Sequence, residues 1–175
     1  GRKMIAGNVA RTLKAFFPEA YSEPVYAGKH RTKFFNDCEN NDSWGQVQTI
    51  TSEVSYSGMN SSETGKGNDY SITLEYPMYL LPDLYKDSIR VRFMTFTKSP
   101  AREVKLVLQA GGNTVEPYWE GIPLFGKMKK QNQWEPFRHT FLVPDHIRDA
   151  DWIKIYVFNP SDIKVWIDDF SVQFN

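Results

Sequence analysis

From Ser71 to the end of the chain, apolar residues recur at every second position in short runs parted by turn residues. That periodicity limits the fold more than any other feature. Ile72, Leu74 and Tyr76 alternate with Ser71, Thr73 and Glu75, and Ile89, Val91 and Phe93 alternate with Arg90 and Arg92. Val104, Leu106 and Leu108 share one face of the next run; Phe137, Phe141 and Val143 do so further on, followed by Ile153, Ile155 and Val157. Successive side chains of a strand point to opposite faces, so each run has one core face and one outward face. Turn segments separate the runs at Thr97–Pro100, Gly111-Gly112-Asn113 and Asn159-Pro160-Ser161-Asp162. With no helical pattern between them, about eight to ten such strands predict an all-β antiparallel β-sandwich of jelly-roll size.

The last run breaks its own rule. Its apolar set is Val165, Ile167, then Phe170, Val172 and Phe174, so the step across Asp168-Asp169 is odd. One extra residue in a strand is a β-bulge, which lets both apolar halves face the core and re-aims a carboxylate. Two adjacent like charges in a strand call for compensation.

Before Lys29 the texture differs. Val9, Leu13, Phe16 and Phe17 fall at helical spacing, with Asn8 as N-cap and Pro18 as stop, so a short N-terminal helix is predicted. Residues 19–29 read as linker. The expected organisation is therefore a helix and linker over 1–29 and a sandwich over 30–175. Gly1 in the place of Met reads as a trimmed or processed chain, and Arg2-Lys3 precede no apolar signal segment.

Twenty-one basic and twenty-one acidic residues cancel, which argues against nucleic-acid binding and against a polybasic membrane surface. No apolar run is long enough to cross a bilayer, so no membrane insertion is expected. The lone Cys38 cannot form an internal disulfide and reads as a structural thiol. Catalytic signatures are missing: there is no nucleophile elbow, no phosphate loop and no His-Glu-x-x-His helix, while His30, His139 and His146 are scattered. The chain does not read as an enzyme.

Several segments, in order, resemble galactose-binding-like jelly rolls, in particular the non-catalytic carbohydrate-binding modules attached to bacterial glycoside hydrolases. They are Phe34-Phe35-Asn36-Asp37-Cys38-Glu39 followed by Trp44; Ser55-Tyr56-Ser57-Gly58; Gln133-Trp134 leading to Phe141-Leu142-Val143-Pro144; and Val165-Trp166-Ile167-Asp168-Asp169-Phe170-Ser171-Val172. The resemblance covers Lys33 to Asn175. It implies core roles for Trp44 and Trp134. It also implies a structural calcium between the first and last strands, held by Asp37, Glu39, Asp168 and Asp169 with carbonyls near Ser57-Gly58, because calcium takes several oxygen ligands. A glycan ligand, further domains fused in the parent protein and a place outside the cytoplasm follow from the same resemblance.

Sugar sites set exposed aromatic faces against pyranose rings. Glu116–Gly121 has no clean period, which makes Trp119 and Tyr118 the candidate platforms. Trp166, between inward Val165 and Ile167, points outward as a cover or as a platform. Tyr156 and Phe158 share an outward face, Tyr70 sits at a strand entrance, and Arg92 is a candidate reader of sugar hydroxyls or part of a solvated face. The competing reading is a structural or protein-interaction sandwich forming the extracytoplasmic part of a larger surface or membrane protein. It expects Trp119 and Trp166 to be buried.

Overall fold

The computed structural model describes residues 31–40, 44–113 and 115–175. Their compact body runs from Thr32 to Asn175; the helix expected over Asn8–Phe17 and the linker after it lie outside the described residues. Ten strands form in chain order: β1 Lys33–Asn36, β2 Ile50–Thr51, β3 Ser61–Thr64, β4 Leu74–Tyr76, β5 Ser88–Thr97, β6 Lys105–Gly111, β7 Tyr118–Pro123, β8 Glu135–Leu142, β9 Trp152–Phe158 and β10 Val165–Phe174. Every helical piece among the described residues is a three-residue 3-10 turn. Two antiparallel sheets result, one of six strands ordered β2-β3-β10-β5-β8 with β1 also on β10, the other ordered β4-β9-β6-β7. The sandwich expected from the alternation is the fold.

The inner faces carry the predicted alternation. Ile89, Val91, Phe93, Leu106, Leu108, Phe137, Phe141, Ile153, Ile155 and Val157 are all buried, each stabilising the fold by roughly 1.5–3 kcal/mol. Phe93 stacks between Phe137 at 4.9 Å and Phe170 at 5.0 Å, and Trp44 meets Phe170 edge-on at 5.4 Å. Trp44 is thus a core residue. Trp134 is only half-buried and belongs to the outer side, against Phe96 and Tyr56.

Strand β10 organises the six-stranded sheet. On one edge it pairs with β5 along its whole length; on the other, residues 165–167 pair with β3 and residues 170–173 pair with β1. The predicted bulge falls where the neighbour changes, between Asp168 and Ser171, and Asp169 adopts φ +50°, a left-handed conformation that Asp tolerates. Val165, Ile167, Phe170, Val172 and Phe174 all join the core as a consequence.

Two segments differ from the expectation. The run from Ser71 contributes only Leu74–Tyr76 as strand, because serine hydroxyls replace part of the ladder: Ser71 Oγ accepts from Val157 N at 2.9 Å, and Ser62 Oγ accepts from Ile72 N at 2.9 Å. The aperiodic segment around Trp119 is a regular strand, β7, at the sheet's edge against β6. Half-covered on both faces, an edge strand needs no continuous apolar set.

Candidate functional site

The outward face of the four-stranded sheet gathers aromatic rings and hydrogen-bonding groups. Trp152, Lys154, Tyr156 and Phe158 occupy alternate positions of β9, Gly111, Gln109, Val107 and Lys105 those of β6, and Trp119 and Gly121 those of β7. Register places Gln109 opposite both Lys154 and Trp119, and Gly111 opposite Trp152.

Two glycines explain how the indoles lie. A Cβ at Gly111 would fall 2.6 Å from Trp152 Cζ2, and one at Gly121 would collide with Trp119 Cη2 and Cζ3, with the Lys105 stem alongside at 3.0 Å. Each indole therefore packs its six-membered ring against the bare backbone of a glycine; Trp119 is 49% exposed and Trp152 half-buried. The two residues stand two strands and two positions apart, about 12 Å between Cα atoms at ordinary strand spacing and rise. Between them the Tyr156 hydroxyl donates to Gln109 Oε1 at 3.0 Å. Burial pushes the Tyr156 phenol up, while a hydrogen bond from Trp119 pulls it partly back. Tyr70, also exposed, extends the row, its ring 5.5 Å from Tyr156 and 5.4 Å from Phe158.

Of the four ligand residues expected from sequence, the structure keeps one in this row. Trp119 is half exposed there. Tyr118, its neighbour on β7, turns the other way: it packs against the core and donates its hydroxyl to Glu120 at 2.7 Å, and burial followed by that carboxylate pushes its phenol up to about 12. Trp166 does point outward, but on the six-stranded sheet, and it is 1% exposed. Lys98 and Lys164 lie over its ring at 5.1 and 5.7 Å, and Phe96 meets it edge-on. Glu53 locks both lysines at 3.0 and 3.1 Å, so Trp166 is floor and not platform. Arg92 is exposed on that same sheet, away from Trp119. Trp152, Gln109, Lys105 and Lys154 were missed, although β9's alternation had already put Tyr156 and Phe158 outward and, extended backward, would have found Trp152.

Of the residues expected to hold calcium, Glu39, Asp168 and Asp169 reach the loop 55–60 through hydrogen bonds, and Asp37 bonds to Glu39. Asp168, fully buried, accepts from Tyr56 N at 2.8 Å, Ser57 N at 3.1 Å and Asp169 N at 2.7 Å. Asp169 Oδ1 accepts from Ser57 Oγ at 2.6 Å. Glu39 Oε1 takes Met59 N and Asn60 N, each at 2.7 Å, and Asp37 accepts from Glu39 N at 3.1 Å. Calcium needs lone pairs converging on it, whereas here N–H groups of the loop point at the carboxylates. Among the described residues no three His, Cys, Asp or Glu side chains are grouped to hold a metal. The donor set does not fit a calcium cage as arranged; it fits a clasp of charge-assisted hydrogen bonds between the loop and the bulge. Burial still pushes the Asp168 carboxyl above its ordinary range, against the pull of those three N–H donors. Beside it Cys38 is buried, its thiol pushed up to about 12 by burial and then by the surrounding carboxylates, as befits an inert thiol.

No protein-family model matches the chain, and no curated protein does. Solved structures do share its fold. The CBM22-2 xylan-binding domain from Paenibacillus barcinonensis Xyn10C superposes with a TM-score of 0.59 over 81% of this chain and 99% of that one, at 16% identity. The C-terminal family 22 carbohydrate-binding module of Clostridium thermocellum Xyn10B gives 0.55 over 81% and 91%, at 14% identity. A two-module piece of the same xylanase, CBM22-1 with its GH10 module in complex with xylohexaose, gives 0.51 over 72% of this chain and 24% of that one, at 16% identity. The chain has the fold of β-sandwich carbohydrate-binding modules.

Proposed function

We propose that the protein is a non-catalytic glycan-binding module whose ligand lies across the outward face of β9, β6 and β7. The observation that carries this reading is the pair of indoles, Trp119 and Trp152, packed against Gly121 and Gly111 with Gln109 and the Tyr156 hydroxyl between them. Flat exposed rings match the apolar C–H face of a pyranose, and the amide and hydroxyl read its hydroxyl groups. The fold supports the same reading, since its structural neighbours include modules that bind xylan. A polysaccharide of β-linked pyranoses, xylan first among them, is the ligand class we assign. As in the xylanase that joins such a module to a GH10 module, the sandwich would serve a catalytic domain fused to it, outside the cytoplasm.

A second reading, an interaction domain, draws on the opposite sheet, where Tyr56 (50% exposed) meets the half-buried Trp134 edge-on and Met59 (73%) stands exposed on the same loop as Tyr56. Affinity electrophoresis in soluble xylan separates the two. Wild type is expected to be retarded and Trp119→Ala to migrate freely with an unchanged melting temperature. Retardation that survives both Trp119→Ala and Trp152→Ala would overturn the assignment of the face, and no retardation in any of a broad set of polysaccharides would overturn glycan binding.

A further inference from the structure

Each indole of the candidate face has an ammonium group over its ring, as Trp166 does, but here without the lock that Glu53 supplies. Lys105 Nζ stands 5.5 Å from the centre of the Trp119 ring, and Lys154 Nζ stands 5.0 Å from that of Trp152. Register puts Lys154 opposite Gln109, and Lys105 four residues from Gln109 along β6, which sets the two lysines about 14 Å apart at ordinary strand rise and spacing. Glu75, on β4, is the carboxylate of this row and is already held by Lys154 at 3.4 Å. Glu120, on β7, is occupied by the Tyr118 hydroxyl. Among the described residues no carboxylate lies within ion-pair distance of Lys105, whose stem runs beside Gly121 next to the exposed Trp119 ring.

The polar equipment of this surface is therefore unbalanced. A neutral sugar offers hydroxyls that both donate and accept, and sites for it mix acceptors with donors. Here the Gln109 carbonyl already takes the Tyr156 hydroxyl and the buried Tyr156 oxygen takes a hydrogen bond from Trp119, while two ammonium groups that only donate stand at the rings. An ammonium beside a stacked sugar is matched by a group that only accepts and carries charge. We propose that the glycan recognised on this face bears uronic-acid carboxylates, paired with Lys105 beside Trp119 and with Lys154 beside Trp152. This rests on the glycan-binding reading and deepens it: the aromatic rings supply contact with the backbone of the polymer, and the lysines select its acidic substituents.

The test compares glucuronic-acid-substituted xylan with the same polymer after its carboxyl groups have been reduced to alcohols, by isothermal titration at low salt. The acidic polymer is expected to bind about tenfold more tightly than the reduced one, and the advantage is expected to shrink as salt is raised, because exposed ion pairs are screened. In the double variant Lys105→Gln, Lys154→Gln the two polymers should bind alike. Equal binding of both polymers by wild type would overturn the charge selection while leaving the glycan face standing. A preference that survives the double variant would place the selecting cations elsewhere and overturn the assignment to these lysines. Absence of binding to either polymer would overturn the glycan reading and this inference with it.

Discussion

Trp119 and Trp166 both point outward from a strand of the sandwich, yet one is half open and the other sealed. Their own strands do not make the difference; their neighbours do. Trp119 has Gly121 two residues on, so its ring settles against bare backbone, and the one cation over it, Lys105 at 5.5 Å, is not tied down by a carboxylate among the described residues. Trp166 has Glu63 opposite it on β3 and Phe96 on β5, and above it Lys98 and Lys164 are held by Glu53, with Glu63 pairing Lys164 a second time at 3.0 Å. Its Nε1 is buried without an acceptor. The hollow of about 360 Å³ beside it is lined by that ion network and by Ser99, Asp162 and Ile163. One sheet thus presents aromatic surface, and the other uses an aromatic ring as packing beneath charged side chains.

The largest effect should come from the sealed side. Trp166→Ala is expected to cost about 4 kcal/mol in denaturant unfolding, the usual loss for a buried tryptophan, and to leave xylan binding by the folded fraction intact. Trp166→Phe should cost far less, because the indole N–H it removes has no partner. A Trp166→Ala protein that is fully stable and loses binding would exchange the roles of the two faces.

Next comes the clasp on the same sheet. Asp168→Ala should cost about 2 kcal/mol, because it leaves the part-buried N–H groups of Tyr56, Ser57 and Asp169 without their acceptor. Chelator should leave the melting temperature of the wild type unchanged; a drop in chelator that disappears in Asp168→Ala would show a metal where we place hydrogen bonds. On the open side, Gly121→Ala should weaken xylan binding about tenfold, or 1.4 kcal/mol, with little change in stability, since the added methyl must lift the Trp119 ring off the sheet.

The smallest effect concerns the cover over Trp166. Hydrogen bonds from Lys98 and then Lys164 hold the Glu53 carboxyl below its ordinary range. A lowered folded value means that its contribution is present above the unfolded value and is lost as pH falls through the folded one. Trp166 should therefore stay shielded from acrylamide at neutral pH and down past the ordinary carboxylate value, and become quenchable only below it. Quenching that already rises between pH 7 and 5 would contradict the cover.

Period two, turn chemistry and the odd step at Asp168-Asp169 were enough to read the sandwich, the inner faces and the bulge, because each is a local consequence of strand geometry. The site was legible only in pieces. Trp119 stands out in the sequence as part of a segment with no periodic apolar set, and Tyr156 and Phe158 as the outward positions of an alternating strand. Which outward face each strand shares is a matter of register and strand order: that β9, β6 and β7 are neighbours, while Trp166 and Arg92 sit on the other sheet, is fixed by pairings between segments far apart in sequence. The glycine seats were hidden for the same reason, since Gly111 receives a ring from β9. Which atoms of the loop face the carboxylates is not legible in residue types either: the positive φ at Gly58 belongs to a backbone that presents N–H groups to Glu39 and Asp168.

The account stands most directly on where a sugar chain touches the protein. Backbone amide chemical-shift mapping during titration with xylohexaose would show it. We predict saturable shifts concentrated on β6, β7 and β9 around Gln109, Trp119 and Trp152, with the indole N–H signals of Trp119 and Trp152 moving and that of Trp166 still. Shifts centred instead on Trp166, Lys98 and Lys164, or none at any concentration of sugar, would contradict it.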